Sequence, residues 1–363
     1  MSARRLCVVS FLIGLLVCPR CGPGDPAAST RELVLTFHER ILTVDPAWDP
    51  EISHRTGKSD GSPVDLPRMK DGGLDAAFFI APVPQGEPVS GGDDRARKAA
   101  LAAIDAVIDM VRTHPDQVCL GLAPQDAYRA EKLGLRTVFI GLGNGGGLGR
   151  DLSLLETFHT RGVRLLTLCG DTDNDICDSA ADARNPQDRG LSDFGRRVVE
   201  ECNRLGIVID LAGASEKSFF DVLAASTSPV VVSRAGTRAL SDHTGNLTDE
   251  MLRAIAEKCG AVHICLDPRF LVRTPSAAGL RPTLDDFMDH IDHVRKVTGT
   301  DHVGISAGFD GGGGVEGCRD ASELVNLTVA LLRRGYREAD VERIWGGNFM
   351  RVFERATRLA ERK

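Results

Sequence analysis

The chain has 363 residues, 42% of them hydrophobic and 26% charged, a balance that suits an ordinary soluble globular fold. Its formal net charge of −7 leaves no basic surface to recruit nucleic acid, and aromatics at 5% are too sparse for base-stacking platforms. The length accommodates one large α/β barrel, which takes about 250 residues before insertions.

Residues 1–24 read as an export signal. Arg4 and Arg5 form a short basic region, and residues 8–17 are apolar over a stretch too short to span a bilayer. Leu15-Leu16-Val17-Cys18 loosely resembles a lipoprotein cleavage box, although Val before the Cys is unusual. Two outcomes stay open: membrane attachment through a lipidated Cys18, or plain secretion. The expected location is therefore extracellular, periplasmic or membrane-anchored. Residues 25–34 read as a tether, and residues 35–360 as the folded unit. Beyond the signal, the seven cysteines Cys119, Cys169, Cys177, Cys202, Cys259, Cys265 and Cys318 lack Cys-Xaa-Xaa-Cys spacing, and no pairing can be read from them.

Near-continuous apolar runs at residues 41–45, 74–82, 136–141, 163–169, 207–211, 229–233, 261–266 and 302–306 predict eight strands buried on both faces. Amphipathic stretches at 96–113, 152–160, 194–205, 216–225, 248–258, 284–297, 321–334 and 348–362 predict helices. Strands alternating with helices indicate parallel βαβ units. The expected fold is α/β, a closed (β/α)8 TIM barrel with short helical insertions between strands two and three; a doubly wound open sheet is the alternative.

Several ordered segments carry a resemblance. They are Gly190-Leu191-Ser192-Asp193-Phe194-Gly195, Ile209-Asp210-Leu211-Ala212, Asn246-Leu247-Thr248-Asp249-Glu250, Leu284-Asp285-Asp286-Phe287, Asp301-His302-Val303-Gly304-Ile305 and Gly346-Gly347-Asn348-Phe349. Together with Ser233, Arg238, His290, His293 and Phe309 they resemble the membrane (renal) dipeptidase family across nearly all of residues 35–358. The resemblance implies a metallo-dependent hydrolase-like barrel that cleaves dipeptides, including those with D-residues. It implies two zinc ions that share a bridging Glu and a hydroxide, since zinc makes a nucleophile of water near neutral pH. It also implies a homodimer.

Carried over residue by residue, that machinery is depleted. The first-strand Asp-Xaa-His-Xaa-Asp pattern reads Asp45-Pro46-Ala47-Trp48-Asp49, so only the ligand Asp49 remains. The bridging Glu reads Gly143, the fourth-strand His Gly170, the fifth-strand His Gly213 and the sixth-strand His Arg234. The substrate-carboxylate Arg reads Gly245, and the catalytic Asp of the last strand reads Gly308. A catalytic zinc takes three protein donors plus water, and one retained ligand cannot hold two ions. The expectation is no zinc, no cofactor and no family hydrolysis, leaving an exported pseudoenzyme that binds an unknown small molecule or peptide, an anion among the candidates. The alternative is a zinc dipeptidase with an atypical site.

The candidate pocket is Asp49, Arg234, Asp310, His263 and Cys265. His263 and Cys265 alternate on one strand face and could ligate a metal with Asp267 or Cys169. Arg234 is expected to point into the barrel mouth and pair with Asp49 or Asp310, because an unpaired buried charge is costly. The run Asp171, Asp173, Asp175, Asp178 lacks the Gly and Glu of a calcium loop and reads as a hydrogen-bonded loop. The glycine run 141–149 satisfies a weak Gly-Xaa-Gly-Xaa-Xaa-Gly pattern and reads as flexible filling rather than a phosphate cradle.

Overall fold

A computed structural model of the chain describes residues 26–48, 64–84, 92–184, 187–272, 281–309 and 314–361. In chain order the elements are α1 (Pro26–His38), β1 (Val44–Trp48), α2 (Leu66–Asp71), β2 (Ala76–Ala81), α3 (Gly92–Thr113), β3 (Val118–Leu120), α4 (Pro124–Lys132) and β4 (Arg136–Leu142). Then come α5 (Leu154–Thr160), β5 (Val163–Thr167), α6 (Asp193–Leu205), β6 (Val208–Asp210), α7 (Glu216–Ala225), β7 (Val231–Ala235), α8 (Asp249–Glu257) and β8 (Ala261–Cys265). The chain closes with α9 (Pro268–Leu271), α10 (Leu284–Thr298), β9 (Val303–Ser306), α11 (Val325–Arg333), α12 (Glu338–Glu342) and α13 (Asn348–Ala360).

Eight parallel strands run in the order β1-β2-β4-β5-β6-β7-β8-β9, and β3, off that path, pairs with β4. This is the (β/α)8 barrel, with the expected insertion between its second and third strands. That insertion holds a strand as well as helices: β3 pairs with the first half of β4, with Val118 opposite Arg136. Two details differ from expectation. The first strand begins at Val44 rather than residue 41, and the stretch read as a tether is helical from Pro26.

Strand alternation divides the apolar residues into two cores. Val44, Ala76, Phe78, Phe139, Leu165, Val208, Val231 and Ala261 fill the barrel interior. Their strand neighbours Ala77, Phe79, Val138, Ile140, Leu166, Ile209, Val232 and Val262 face the helical shell. Phe349 and Phe353 of α13 pack into the interior core, where five members (Val44, Ala76, Val208, Val231 and Ala261) are the first residues of their strands. α13 therefore plugs the N-terminal end of the barrel. Phe78 stacks on Phe139 at 4.8 Å and meets Phe349 edge-on at 4.9 Å, and Phe139 meets Phe353 at 5.4 Å. Polar bonds fix the plug: Arg351 donates to the carbonyls of Cys259 at 2.5 Å and Asp301 at 2.6 Å, and Asn348 donates to those of Thr300 and Val303.

Among the described residues, the expected main-chain pairing of the last barrel strand with the first does not occur. A side chain spans that seam instead. Asp45 accepts from the Ala307 N–H at 3.1 Å and from Ser306 Oγ at 3.4 Å, while also taking the Ala47 N–H at 3.0 Å. A carboxylate can accept several donors at once, so one residue does the work of a short ladder segment.

The candidate site at the barrel mouth

Toward the C-terminal ends of the strands the interior turns from apolar to polar. Asp210 at the end of β6 is 1% exposed and accepts four bonds: Thr167 Oγ1 at 2.7 Å, Ser233 Oγ at 2.6 Å, Ser233 N at 2.8 Å and Ala212 N at 3.1 Å. The ladder between β6 and β7 has a single register pair, Asp210 opposite Val231, so this carboxylate stitches three strands where main-chain pairing is thinnest. Asp45 and Asp210 thus spend their acceptor capacity on the scaffold.

The positions read as vacated ligands and vacated catalytic groups are filled in three ways. At the last strand, Gly308 has φ +55°, and a Cβ there would collide with Cys265 Sγ. The thiol occupies the volume in which a side chain at 308 would begin, and the backbone angle disfavours one. At the fourth and fifth barrel strands, Gly213 has φ +81°, and its Cβ would lie 3.1 Å from the Gly170 carbonyl oxygen. The β5–α6 loop covers both: Ser179 Oγ donates to the Gly170 carbonyl at 2.7 Å, and Ala180 N donates to the Gly213 carbonyl at 2.8 Å. At the first strand Ala47 is simply buried in the interior core.

The glycine run after β4 is not loose filling, contrary to expectation. Residues Gly145–Leu148 form a tight 3-10 turn capped by Asn144, whose Oδ1 takes the Gly146 N–H at 2.8 Å and whose Nδ2 donates to the Val83 carbonyl at 2.8 Å. A Cβ on Gly145 would collide with Ile176 Cδ1, and one on Gly147 would touch Ala100 of α3 at 3.4 Å. Close packing by α3 and the β5–α6 loop takes up the space.

Arg234 is half-buried at a bulge in the β7–β8 pairing, between Val232 and Ala235. A bulge re-aims side chains that strict alternation would turn away. Its guanidinium lies close enough to lower the Cys265 thiol electrostatically, though burial wins and pushes that thiol up to about 12. The partners proposed for Arg234, Asp49 and Asp310, lie outside the described residues.

His263 faces the interior from β8, but it packs against Phe349 at 5.6 Å and shares its Nδ1 hydrogen with the Val232 carbonyl at 3.2 Å. Burial pushes it down to about 4, so it is neutral at physiological pH. It belongs to the aromatic plug, whereas Cys265 lies two residues nearer the mouth, over Gly308. Asp267 caps α9 and is paired with Arg269 at 2.5 Å. Among the described residues no group of three or more His, Cys, Asp or Glu side chains is placed to hold a metal ion. Ala47, Gly143, Gly213 and Arg234, which the resemblance assigns to ligand positions, carry no metal-donating side chain. The described donor set does not fit a zinc pair.

Of the run Asp171, Asp173, Asp175, Asp178 in the β5–α6 loop, the last three are each committed to a different partner. Asp173 takes the Ser179 N–H at 2.7 Å, Asp175 pairs with Arg150 at 3.0 Å, and Asp178 takes the N–H groups of Arg189 and Gly190. This loop forms one wall of a cavity of about 470 Å³ beside the mouth, whose lining includes Asp178, Asp188, Glu216, Arg238, Asp242 and Thr244. The sequence reading did not single out this cavity. Its signal was the loop's density of acidic residues, which alone is indistinguishable from a solvated surface. Arg238 donates to the Thr244 carbonyl at 2.9 Å and faces Glu216 at 3.8 Å. Its Nε is buried without a hydrogen-bond partner among the described residues.

An eight-stranded parallel barrel whose polar end lies at the strand tips defines the class: a (β/α)8 barrel of the kind on which many hydrolases are built. Within that class the chain belongs to the membrane dipeptidase family, as a divergent member; the family model Membrane dipeptidase (Peptidase family M19) matches residues 31–363. It is 32% identical over 301 residues to Dipeptidase 3 of Rattus norvegicus, covering 82% of this chain and 59% of that protein. It is 32% identical over 304 residues to Dipeptidase tcpJ of Claviceps purpurea, covering 82% of this chain and 70% of that one. The match thus spans less than two thirds of Dipeptidase 3. The fold superposes on the probable dipeptidase PvdM from Pseudomonas aeruginosa with a TM-score of 0.85 at 28% identity, covering 92% of this chain and 100% of that one. A metallo peptidase from Rhodobacter sphaeroides, liganded with a phosphinate mimic of the dipeptide L-Ala-D-Ala, superposes with a TM-score of 0.80 at 27% identity, covering 87% and 99%.

Proposed function

We propose that this chain is a membrane-dipeptidase-family barrel that binds a small peptide-like ligand without zinc-dependent hydrolysis. The observation that carries the reading is the chemistry of the ligand positions. Ala47, Gly143 and Gly213 offer no lone pair, Arg234 brings a fixed cation, and Cys265 fills the place of the acid at Gly308. Zinc hydrolysis needs a metal-lowered water and support for the tetrahedral oxyanion, and these residues supply neither.

The ligand is proposed to occupy the cavity beside the mouth. Arg238 lines that cavity as a cation for a carboxylate, and Asp242 and Glu216 can face an ammonium group. This favours a zwitterion such as a dipeptide over the simple anion suggested by Arg234 alone. Titration calorimetry with a dipeptide panel should give saturable binding that Arg238→Ala weakens at least about ten-fold. Unchanged affinity in that variant would place the ligand elsewhere.

A second reading, a metallodipeptidase with an atypical ligand set, is supported by the activity that the relatives' names state. Elemental analysis of the purified protein and a hydrolysis assay separate the two. Sub-stoichiometric zinc and no turnover are expected; chelator-sensitive cleavage of L,L- or L,D-dipeptides would establish the second reading. Export is also proposed from the N-terminal segment, and N-terminal sequencing of protein recovered from cells tests it. No described helix is long and apolar enough to cross a membrane.

A further inference from the structure

We propose that Cys169 and Cys177 are a redox pair that closes to an intramolecular disulfide, pinning the β5–α6 loop to the tip of β5. Both residues are 1% exposed. The Cys169 thiol donates to the carbonyl of Asp178, the residue next to Cys177, at 3.7 Å, and it lies close enough to the Cys177 thiol to interact with it. The backbone around the pair is held in register. Asn174 Nδ2 donates to the Leu168 carbonyl at 2.8 Å, and Asn174 Oδ1 accepts from the N–H groups of Ile176 at 2.8 Å and Cys177 at 3.2 Å. One asparagine therefore ties the residue before Cys169 to the residue bearing the second thiol. Two of the other described cysteines are engaged elsewhere: Cys119 faces Thr137, and Cys265 lies over Gly308.

The oxidant is a low-molecular-weight disulfide. One protein thiolate attacks it, forming a mixed disulfide and releasing one thiol. The second protein thiolate then attacks the protein sulfur of that mixed disulfide and expels the second thiol. The two cysteines lose two protons and two electrons, and the small disulfide leaves as two thiols. The neighbouring Cys177 thiol and burial hold Cys169 in its thiol form, so exchange in the folded protein is slow and needs the loop to open; closure is faster while the chain is folding. The linkage has a consequence at the cavity. Asp178, Ser179 and Ala180 line it and directly follow Cys177, so oxidation fixes one wall that hydrogen bonds alone hold in the reduced protein.

The pair is convenient to read. Cleavage after Arg164 and Arg184 places both cysteines, and no other, in one tryptic peptide of residues 165–184. The full chain is refolded from denaturant in a mixture of reduced and oxidised glutathione, alkylated and digested. The expected peptide carries no alkyl group and gains two only after reduction. Hydrogen exchange of residues 173–184 should be at least ten-fold slower in the oxidised protein than in the reduced one, and Cys177→Ser should abolish that difference. Two results overturn the proposal: a peptide that still carries both alkyl groups after oxidative refolding, or Cys169 or Cys177 joined to a cysteine of another peptide.

Discussion

Cys259 adopts φ 58°, the one non-glycine residue with a positive φ among those described. It ends α8 in a Schellman arrangement: the Gly260 N–H returns to the Ile255 carbonyl at 2.8 Å and the Cys259 N–H to that of Ala256 at 2.8 Å. A Cβ in this region costs about 1 kcal/mol, and the carbonyl of Cys259, not its thiol, anchors Arg351. Cys259→Gly should therefore raise the unfolding free energy by up to about 1 kcal/mol in a denaturant titration; a drop would mean that the thiol's packing outweighs the strain. At the mouth, Gly308→Ala should cost about 1–3 kcal/mol through collision with Cys265 Sγ and its positive φ. Adding Cys265→Ala should recover part of that loss. Strict additivity in the double-mutant cycle would show that the thiol is not what fills the position.

The strands cohere unevenly, and two buried carboxylates act where ladders are short. Asp210 bridges β5, β6 and β7, and Asp45 bridges β1 and β9. Asp210→Ala would strand the Ser233 and Ala212 N–H groups, which have no means of turning to another acceptor; each buried unsatisfied donor costs about 1–3 kcal/mol. The expected loss is about 3 kcal/mol or more. Asp210→Asn should cost less, since its oxygen still serves the two N–H groups while the hydroxyls of Thr167 and Ser233 can rotate to accept from the amide. Equal losses for the two variants would argue that packing, not hydrogen bonding, is what Asp210 provides.

Three deeply buried imidazoles tie distant parts of the fold together. His38 of α1 bonds Thr328 of α11 at 2.8 Å and the Gly72 carbonyl at 3.0 Å, His290 of α10 accepts the Thr237 N–H at 2.8 Å, and His263 lies in the plug. Burial lowers all three, His263 to about 4. A histidine kept neutral in the fold contributes fully above its unfolded value near 6.5, and that contribution drains away as pH falls toward the folded value. For His263 the span from 6.5 to about 4 amounts to roughly 3 kcal/mol. Asp75, raised by burial, works in the opposite sense. The unfolding midpoint should therefore fall between pH 6.5 and pH 4, and His263→Leu should flatten that dependence. An unchanged slope in the variant would remove His263 as its source.

The eight strands, the helices that follow them and the family were legible because they rest on local periodicity and on ordered motifs. That Ala47, Gly143 and Gly213 carry no metal-donating side chain is a statement of sequence alone; that they stand at ligand positions rests on the resemblance. Short, weakly periodic pieces were not legible: β3 and α4 carry three and nine residues, and α9 only four. Nor was the use made of the emptied mouth. Cys265 over Gly308, Ser179 and Ala180 over Gly170 and Gly213, α3 against the glycine turn, and Cys169 beside Cys177 all depend on where loops from different strands meet. Which side chains become neighbours there follows from strand register, bulges and loop path. Those are set by long-range packing around the nearly closed barrel, and periodicity within a single segment carries no trace of them.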